Sequence, residues 1–168
     1  MLLLLLLAAA FVPMVLEAGL AARHDRLLRA RGALEPAADV YAVMQVVYPA
    51  SFALMAFEGW FGGATVDAMF AAGMVLFVCA KALKYWAIAV LGDRWTFRVL
   101  VPPGSTLVRR GPYRFVRHPN YVAVAAELAG FAVMAQAAVT GVASLIVFVL
   151  LMLARIRVEE RALGFRAD

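Results

Sequence analysis

Val66–Leu91 reads VDAMFAAGMVLFVCAKALKYWAIAVL, with Asp67, Lys81 and Lys84 as its only charges. An apolar run of this length matches the roughly 20 residues needed to cross a hydrocarbon core about 30 Å thick. Working outward, four more apolar segments can be drawn: Leu2–Ala22, Val40–Phe61, Pro119–Gln136 and Val139–Ala154. Over the 168 residues 65% are hydrophobic and 16% charged, too apolar for a soluble domain of this size. Nothing resembles a linker or a low-complexity tail, so residues 1–168 are read as one domain. The expected fold is all-α: a polytopic membrane protein with five transmembrane helices. The last two segments are short, and only the weak break Gln136–Gly141 divides them. We read them as a tight helical hairpin, the alternative being one long, bent helix. Leu2–Ala22 ends in small residues before Arg23, as a signal peptide does. No basic region precedes its leucines, however, and Glu17 interrupts the run, so it is read as a retained span.

The net charge of +5 looks like a nucleic-acid cue, but the arginines flank apolar runs, as membrane borders do. Arg23, Arg26, Arg29 and Arg31 fall in 23–39, and Arg94, Arg98, Arg109, Arg110, Arg114 and Arg117 in 92–118. Arg155, Arg157, Arg161 and Arg166 lie near the C-terminus, whereas 62–65 and 137–138 contain no Lys or Arg. The positive-inside rule therefore orients the chain N-outside and C-inside. One cysteine, Cys79, and two histidines, His24 and His118, support neither a disulfide framework nor a metal site.

The densest chemistry lies in Gly111-Pro112-Tyr113-Arg114-Phe115-Val116-Arg117-His118-Pro119-Asn120-Tyr121. Pro119 suits the first turn of a helix, and His118 the boundary before it. The free N–H groups at that helix start, with Arg114 and Arg117, would attract an anion. Arg109 and Arg110 are read as anchors at lipid headgroups. A second cluster, Arg155-Ile156-Arg157-Val158-Glu159-Glu160-Arg161, mixes pairs three and four apart with two adjacent carboxylates. Those pairs alone stabilise a helix by only about 0.2–0.5 kcal/mol each. The carboxylates Glu159 and Glu160 could instead bind the hydroxyls or amine of a nucleoside cofactor. Glu17, Lys81, Lys84 and Glu127 fall inside apolar segments, where ionisable groups are costly and either paired or functional. Lys84 and Glu127 lie at similar depth, so a pair between them is geometrically possible, the alternatives being Lys84 reaching to the interface and a functional Glu127 on the same helix face as Asn120.

These residues closely resemble the isoprenylcysteine carboxyl methyltransferase family of integral membrane enzymes. The resemblance rests on Gly111–Tyr121 and on Arg157-Val158-Glu159-Glu160-Arg161-Ala162-Leu163. Tyr85-Trp86 and Leu91-Gly92-Asp93-Arg94-Trp95 add to it, so that it covers roughly residues 80–164. It implies a methyltransferase using S-adenosylmethionine, with cofactor contacts from Tyr113, Arg117, His118, Pro119, Asn120, Tyr121, Glu159 and Glu160. It also implies a lipophilic substrate arriving laterally between helices. The pattern is most similar to a bacterial branch of O-methyltransferases acting on long-chain alkylpyrones, which would place the chain in a bacterial inner membrane. Ala123 departs from the family, standing where many relatives have Gly. Methyl transfer is an in-line displacement that needs an aligned acceptor oxyanion and a dry site; the acceptor is read as a carboxylate, which needs no base, or an enol/pyrone hydroxyl, which ionises with modest help. Arg117 is the candidate to hold the acceptor anion or the cofactor carboxylate, and His118 or Glu127 the candidate base. A phospholipid or amine N-methyltransferase and a non-enzymatic membrane subunit are the rival readings.

The arginine asymmetry generates a topology test. Reporters fused at Gly63 and at the C-terminus are expected on opposite sides of the membrane, and both on one side would refute the orientation.

Overall fold

A computed structural model of the chain describes residues 2–36, 40–104 and 108–162. It forms five helices: α1 (Leu2–Ala30), α2 (Tyr41–Phe61), α3 (Ala68–Leu91), α4 (Pro119–Met134) and α5 (Ala138–Ala162). Short 3₁₀ turns occupy Gly92–Arg94 and Gly111–Arg114. The described residues hold no strand beyond an isolated antiparallel bridge between Leu34 and Val101. Four helices are long and apolar enough to cross a membrane: α1, α2, α3 and α5. α4 is the exception. Its 16 residues rise only about 24 Å, short of a typical hydrocarbon core. Five apolar helices are therefore present as expected, but only four reach full spanning length.

The helix ends refine the sequence reading. α1 runs on to Ala30, so Arg23, Arg26 and Arg29 ride its last two turns instead of lying in a connection. α3 begins at Ala68 rather than Val66, because the Asp67 side chain accepts a hydrogen bond from the Phe70 N–H at 3.0 Å and caps it. α5 continues through the charged cluster to Ala162, while Leu163 of the quoted motif lies outside the described residues.

The last two apolar segments form the hairpin and not the bent helix. Gln136 takes φ 53, the left-handed conformation that ends a helix. The Ala137 N–H reaches back to the Ala132 carbonyl at 2.9 Å and the Gln136 N–H to Val133 at 3.1 Å. The start of α5 is then capped from another helix, since Glu58 of α2 accepts from the Val139 N–H at 3.0 Å and the Thr140 N–H at 2.7 Å. A carboxylate at that point also meets the positive end of the helix dipole.

α3 and α4 pack closest, and small residues are the reason. A Cβ on Gly73 would lie 2.3 Å from the Met134 nitrogen, and one on Gly130 would lie 2.7 Å from the Phe77 nitrogen. Backbones touch there, as they do at membrane helix pairs built on small residues. Around this contact Phe52, Met55, Phe77, Phe131, Met134 and Phe148 form the buried core, with Phe52 edge-on to Phe131 at 4.9 Å.

The basic stretches meet at one end of the bundle. Arg98 bonds Glu35 at 2.7 Å, Arg31 pairs with Asp93 at 2.5 Å, and Arg155 donates to the Phe97 carbonyl. The opposite end, where Gln136 donates to the Thr65 carbonyl, carries no Lys or Arg in residues 61–67 or 135–140.

The glycine contact makes a stability prediction. Gly130→Ala should cost about 1–3 kcal/mol through overpacking, seen as a lower Tm in detergent. Gly19→Ala, with nothing within 4 Å of the added Cβ, should not lower it.

Candidate functional site

Pro119 opens α4 with His118 at the N-cap position (φ −126, ψ 63), so the boundary expected from the sequence is where the helix starts. That start faces the charged last turns of α5. Tyr121 donates its hydroxyl to Glu159 at 2.9 Å and accepts from the Arg155 Nε at 3.0 Å. The His118 ring stacks on Tyr121 with centroids 5.4 Å apart. His118 Nδ1 lies 3.8 Å from Glu159, and Nε2 3.8 Å from Glu160. Both separations exceed hydrogen-bond range, and Nε2 is buried without a hydrogen-bond partner. Asn120 accepts from the Trp95 indole N–H at 3.4 Å, and the Trp95 carbonyl meets His24 Nδ1 at 2.8 Å. The Tyr113 hydroxyl is pushed well above its ordinary value by burial and then by the Glu159 charge, so it remains a hydrogen-bond donor.

Two arginines exchange the prominence that the sequence suggests. Arg117, the candidate anion holder, has a side chain 80% exposed and lies 3.6 Å from Glu160. Arg155, read from the sequence only as a partner within its helix, is 6% exposed. It holds Tyr121, the Phe97 carbonyl and the face of Tyr41 together. Its sequence signal was an arginine in the last apolar turn of a spanning segment, four residues before Glu159.

Deeper in the bundle the Lys84–Glu127 pair that the sequence allows is present, as half of a larger cluster. Glu17 of α1 and Glu127 of α4 face Lys81 and Lys84 of α3. Lys81 lies 3.1 Å from each carboxylate, and Lys84 lies 2.5 Å from Glu17 and 3.4 Å from Glu127. Tyr48 of α2 donates to Glu127 at 2.6 Å. Four helices thus contribute to one neutral group of charges. Tyr48 gave no signal in the sequence, since a tyrosine in an apolar run reads as packing.

One cavity of about 1,210 Å³ links the two regions. Tyr113, Arg117, His118, Asn120, Tyr121, Glu159 and Glu160 line it on one side, and Glu17, Tyr48 and Lys84 on the other. Pro119 and Glu127, also singled out from the sequence, are fully buried and stand behind this lining. Pro119 sets the helix start, and Glu127 holds Lys84 and Tyr48. The volume exceeds the roughly 300–1,000 Å³ usual for one small ligand. Residues 95–102 form a strap over it, fastened by the Leu34–Val101 bridge and by Arg98 on Glu35.

Residues 72–164 match the family model described as isoprenylcysteine carboxyl methyltransferase (ICMT) family. The chain belongs to this family. Both motif blocks, and the lysines of α3, lie within the matched part of this ICMT-family chain. It is also similar to "Uncharacterized protein YpbQ" of Bacillus subtilis, 28% identical over 95% of each chain. A Haemophilus influenzae protein, "Uncharacterized protein", is 25% identical over 84% of this chain and 83% of its own. No solved structure matches it significantly. Family membership makes the chain a membrane methyltransferase by kinship, and the members of the family use S-adenosylmethionine.

The strap carries a pH prediction. Arg98, with Arg29, holds Glu35 below its ordinary value of 4.5. A depressed carboxyl contributes its stabilisation fully above the unfolded value and loses it as pH falls through the lower folded value. Trp95 fluorescence or protease access at 95–102 should therefore change below about pH 4.5, and Glu35→Gln should show the loosened state already at neutral pH.

Proposed function

We propose that the chain is an S-adenosylmethionine-dependent O-methyltransferase for a lipophilic acceptor, working at the cytosolic face of a bacterial inner membrane. The observation that carries this is the single cavity lined both by the His118/Glu159–Glu160 cluster and by the buried charges beneath it. The residues present fit the cofactor. His118 Nε2 is a buried polar atom without a hydrogen-bond partner. Glu159 and Glu160 are carboxylates suited to ribose hydroxyls and the ammonium group. Arg117 suits the cofactor's carboxylate, and the stacked His118–Tyr121 pair suits a purine face. When bound, the cofactor supplies an electrophilic methyl group on a sulfonium sulfur.

The remaining work falls to the chain itself. Tyr121 is fixed between Arg155 and Glu159, and it orients the imidazole stacked on it. Asn120 is tied to Trp95, which ties the start of α4 to the strap. Charge in a low-dielectric site acts more strongly than in water, so a covered cavity favours reaction between an acceptor oxyanion and a sulfonium. Glu127 acts from behind the lining by holding Lys84 and Tyr48 in place.

Purified protein should bind S-adenosylmethionine, and His118→Ala or Glu159→Ala should weaken binding about tenfold, equivalent to about 1.4 kcal/mol. Calorimetry in detergent measures this. Cells fed labelled methionine, with and without the protein, should differ in one class of methylated lipid. Absence of binding at millimolar cofactor would overturn the enzymatic reading.

A further inference from the structure

Where α3 ends, a second hollow of about 480 Å³ opens beside the large cavity. That volume lies within the roughly 300–1,000 Å³ usual for a small-ligand site. Its lining combines apolar Val90, Leu91 and Val108 with Arg94, Arg109 and Arg110. The sequence marks Arg109 and Arg110 as headgroup anchors, but nothing in it groups them with Arg94, which lies on the other side of the strap. The fold does so. Gly111 takes φ 56, and a Cβ on it would lie 2.5 Å from a Val90 methyl carbon and 3.3 Å from Trp86 Nε1. The Gly111–Arg114 turn is thereby seated on the last turns of α3, and Arg110 donates to the Val90 carbonyl at 3.4 Å. A guanidinium there also meets the negative end of the helix dipole. Arg94 ends the 3₁₀ turn that follows α3. Three guanidiniums thus border one hollow against one carboxylate, Asp93, and Asp93 is itself paired with Arg31 at 2.5 Å. The excess of positive charge suits an anion.

The depth of the hollow says which anion. The apolar span that contains α3 runs Ala68–Arg94, so the arginines stand at its border. Tyr85 and Trp86, about two turns before Arg94, are 45% and 50% exposed, and such amphipathic aromatics sit at headgroup level. Arginine forks match phosphate oxygens, often two at a time. A phosphate held by the arginines, with its acyl chains running down past Trp86, satisfies both the charge and the depth.

We propose that Arg94, Arg109 and Arg110 form a discrete site for the phosphate of an anionic glycerophospholipid, and that the bound phosphate ties the start of the strap to the turn before α4. The tie follows from position. Arg94 directly precedes the strap, Arg109 and Arg110 directly precede the Gly111–Arg114 turn, and Arg94 and Arg109 also line the large cavity. One headgroup between them fixes both chain segments at the cavity rim. The site and the methyltransferase reading are independent, and the test involves no cofactor.

The full chain is placed in nanodiscs of phosphatidylcholine with a minor share of phosphatidylglycerol, and native mass spectrometry counts the lipids it retains. Wild type should keep one phosphatidylglycerol in preference to phosphatidylcholine. Arg94→Gln and Arg109→Gln/Arg110→Gln should weaken that retention about fivefold per arginine removed, since a basic residue at an anionic surface contributes about 1 kcal/mol. Arg94→Lys, which keeps the charge and the fold, should lose less than Arg94→Gln. Arg161→Gln, at an exposed arginine of α5 outside the hollow, should leave retention unchanged. Protease access at 95–102 should fall as phosphatidylglycerol is added to wild type, and should not fall in Arg94→Gln. An equal loss in Arg161→Gln would mean diffuse attraction to the basic end of the bundle and would overturn the discrete site, as would equal retention of the two lipids. If inorganic phosphate in neutral detergent protects the strap as well as phosphatidylglycerol does, the site takes a free anion and the lipid assignment falls. Specific retention with unchanged protease access would overturn the tie between strap and turn.

Discussion

Two carboxylates and two ammonium groups inside an apolar bundle must neutralise one another, and this constraint ties the helices together. Glu17 brings in α1, Lys81 and Lys84 bring in α3, Glu127 brings in α4, and Tyr48 joins from α2. Removing one partner would leave a buried charge without compensation, a loss of roughly 3–5 kcal/mol in comparable buried pairs. No pair of apolar faces could fix depth and rotation so tightly, because lipid tails are as apolar as leucine and offer no preference between registers. α1 thereby becomes part of the site, not merely an anchor.

The rest of the arrangement follows from how α4 is held. It is too short to span by itself, and it is clamped along its length by Gly73 and Gly130 at the contact with α3. Its far end turns back through Gln136 into α5. Its near end is thus set at a depth where Tyr121 meets Arg155 and Glu159 of α5. Because α5 runs without interruption to Ala162, the charged cluster that lines the cavity lies on the same helix that is capped by Glu58 at the opposite end. The hairpin geometry and the chemistry are one mechanical unit.

Covering that unit is the strap after α3. Arg98 bridges Glu35 and Asp25, and Trp95 is buried while bonding Asn120. The strap therefore connects the end of α1 to the start of α4 across the cavity. In a protein that is otherwise helix, this loop forms part of the cavity wall.

Much of this was legible in the residues. Apolar length marked the helices, Pro119 marked the start of α4, and the motif residues Gly111–Tyr121 with Arg157–Leu163 carried the resemblance to the family. The costly placement of Glu17, Lys81, Lys84 and Glu127 in apolar runs announced that they had to be paired, because hydrocarbon offers them nothing else. The sequence by itself determined composition, helix periods and which groups need partners, since these are local properties of chain and solvent. Only the tertiary structure decided who the partners are. Helix rotation and depth put Tyr48 on Glu127, buried Arg155 while leaving Arg117 exposed, and set Glu17 and Lys84 rather than Glu127 at the cavity wall. Those outcomes depend on side chains from four or five helices meeting within a few ångströms, a constraint that no single segment carries.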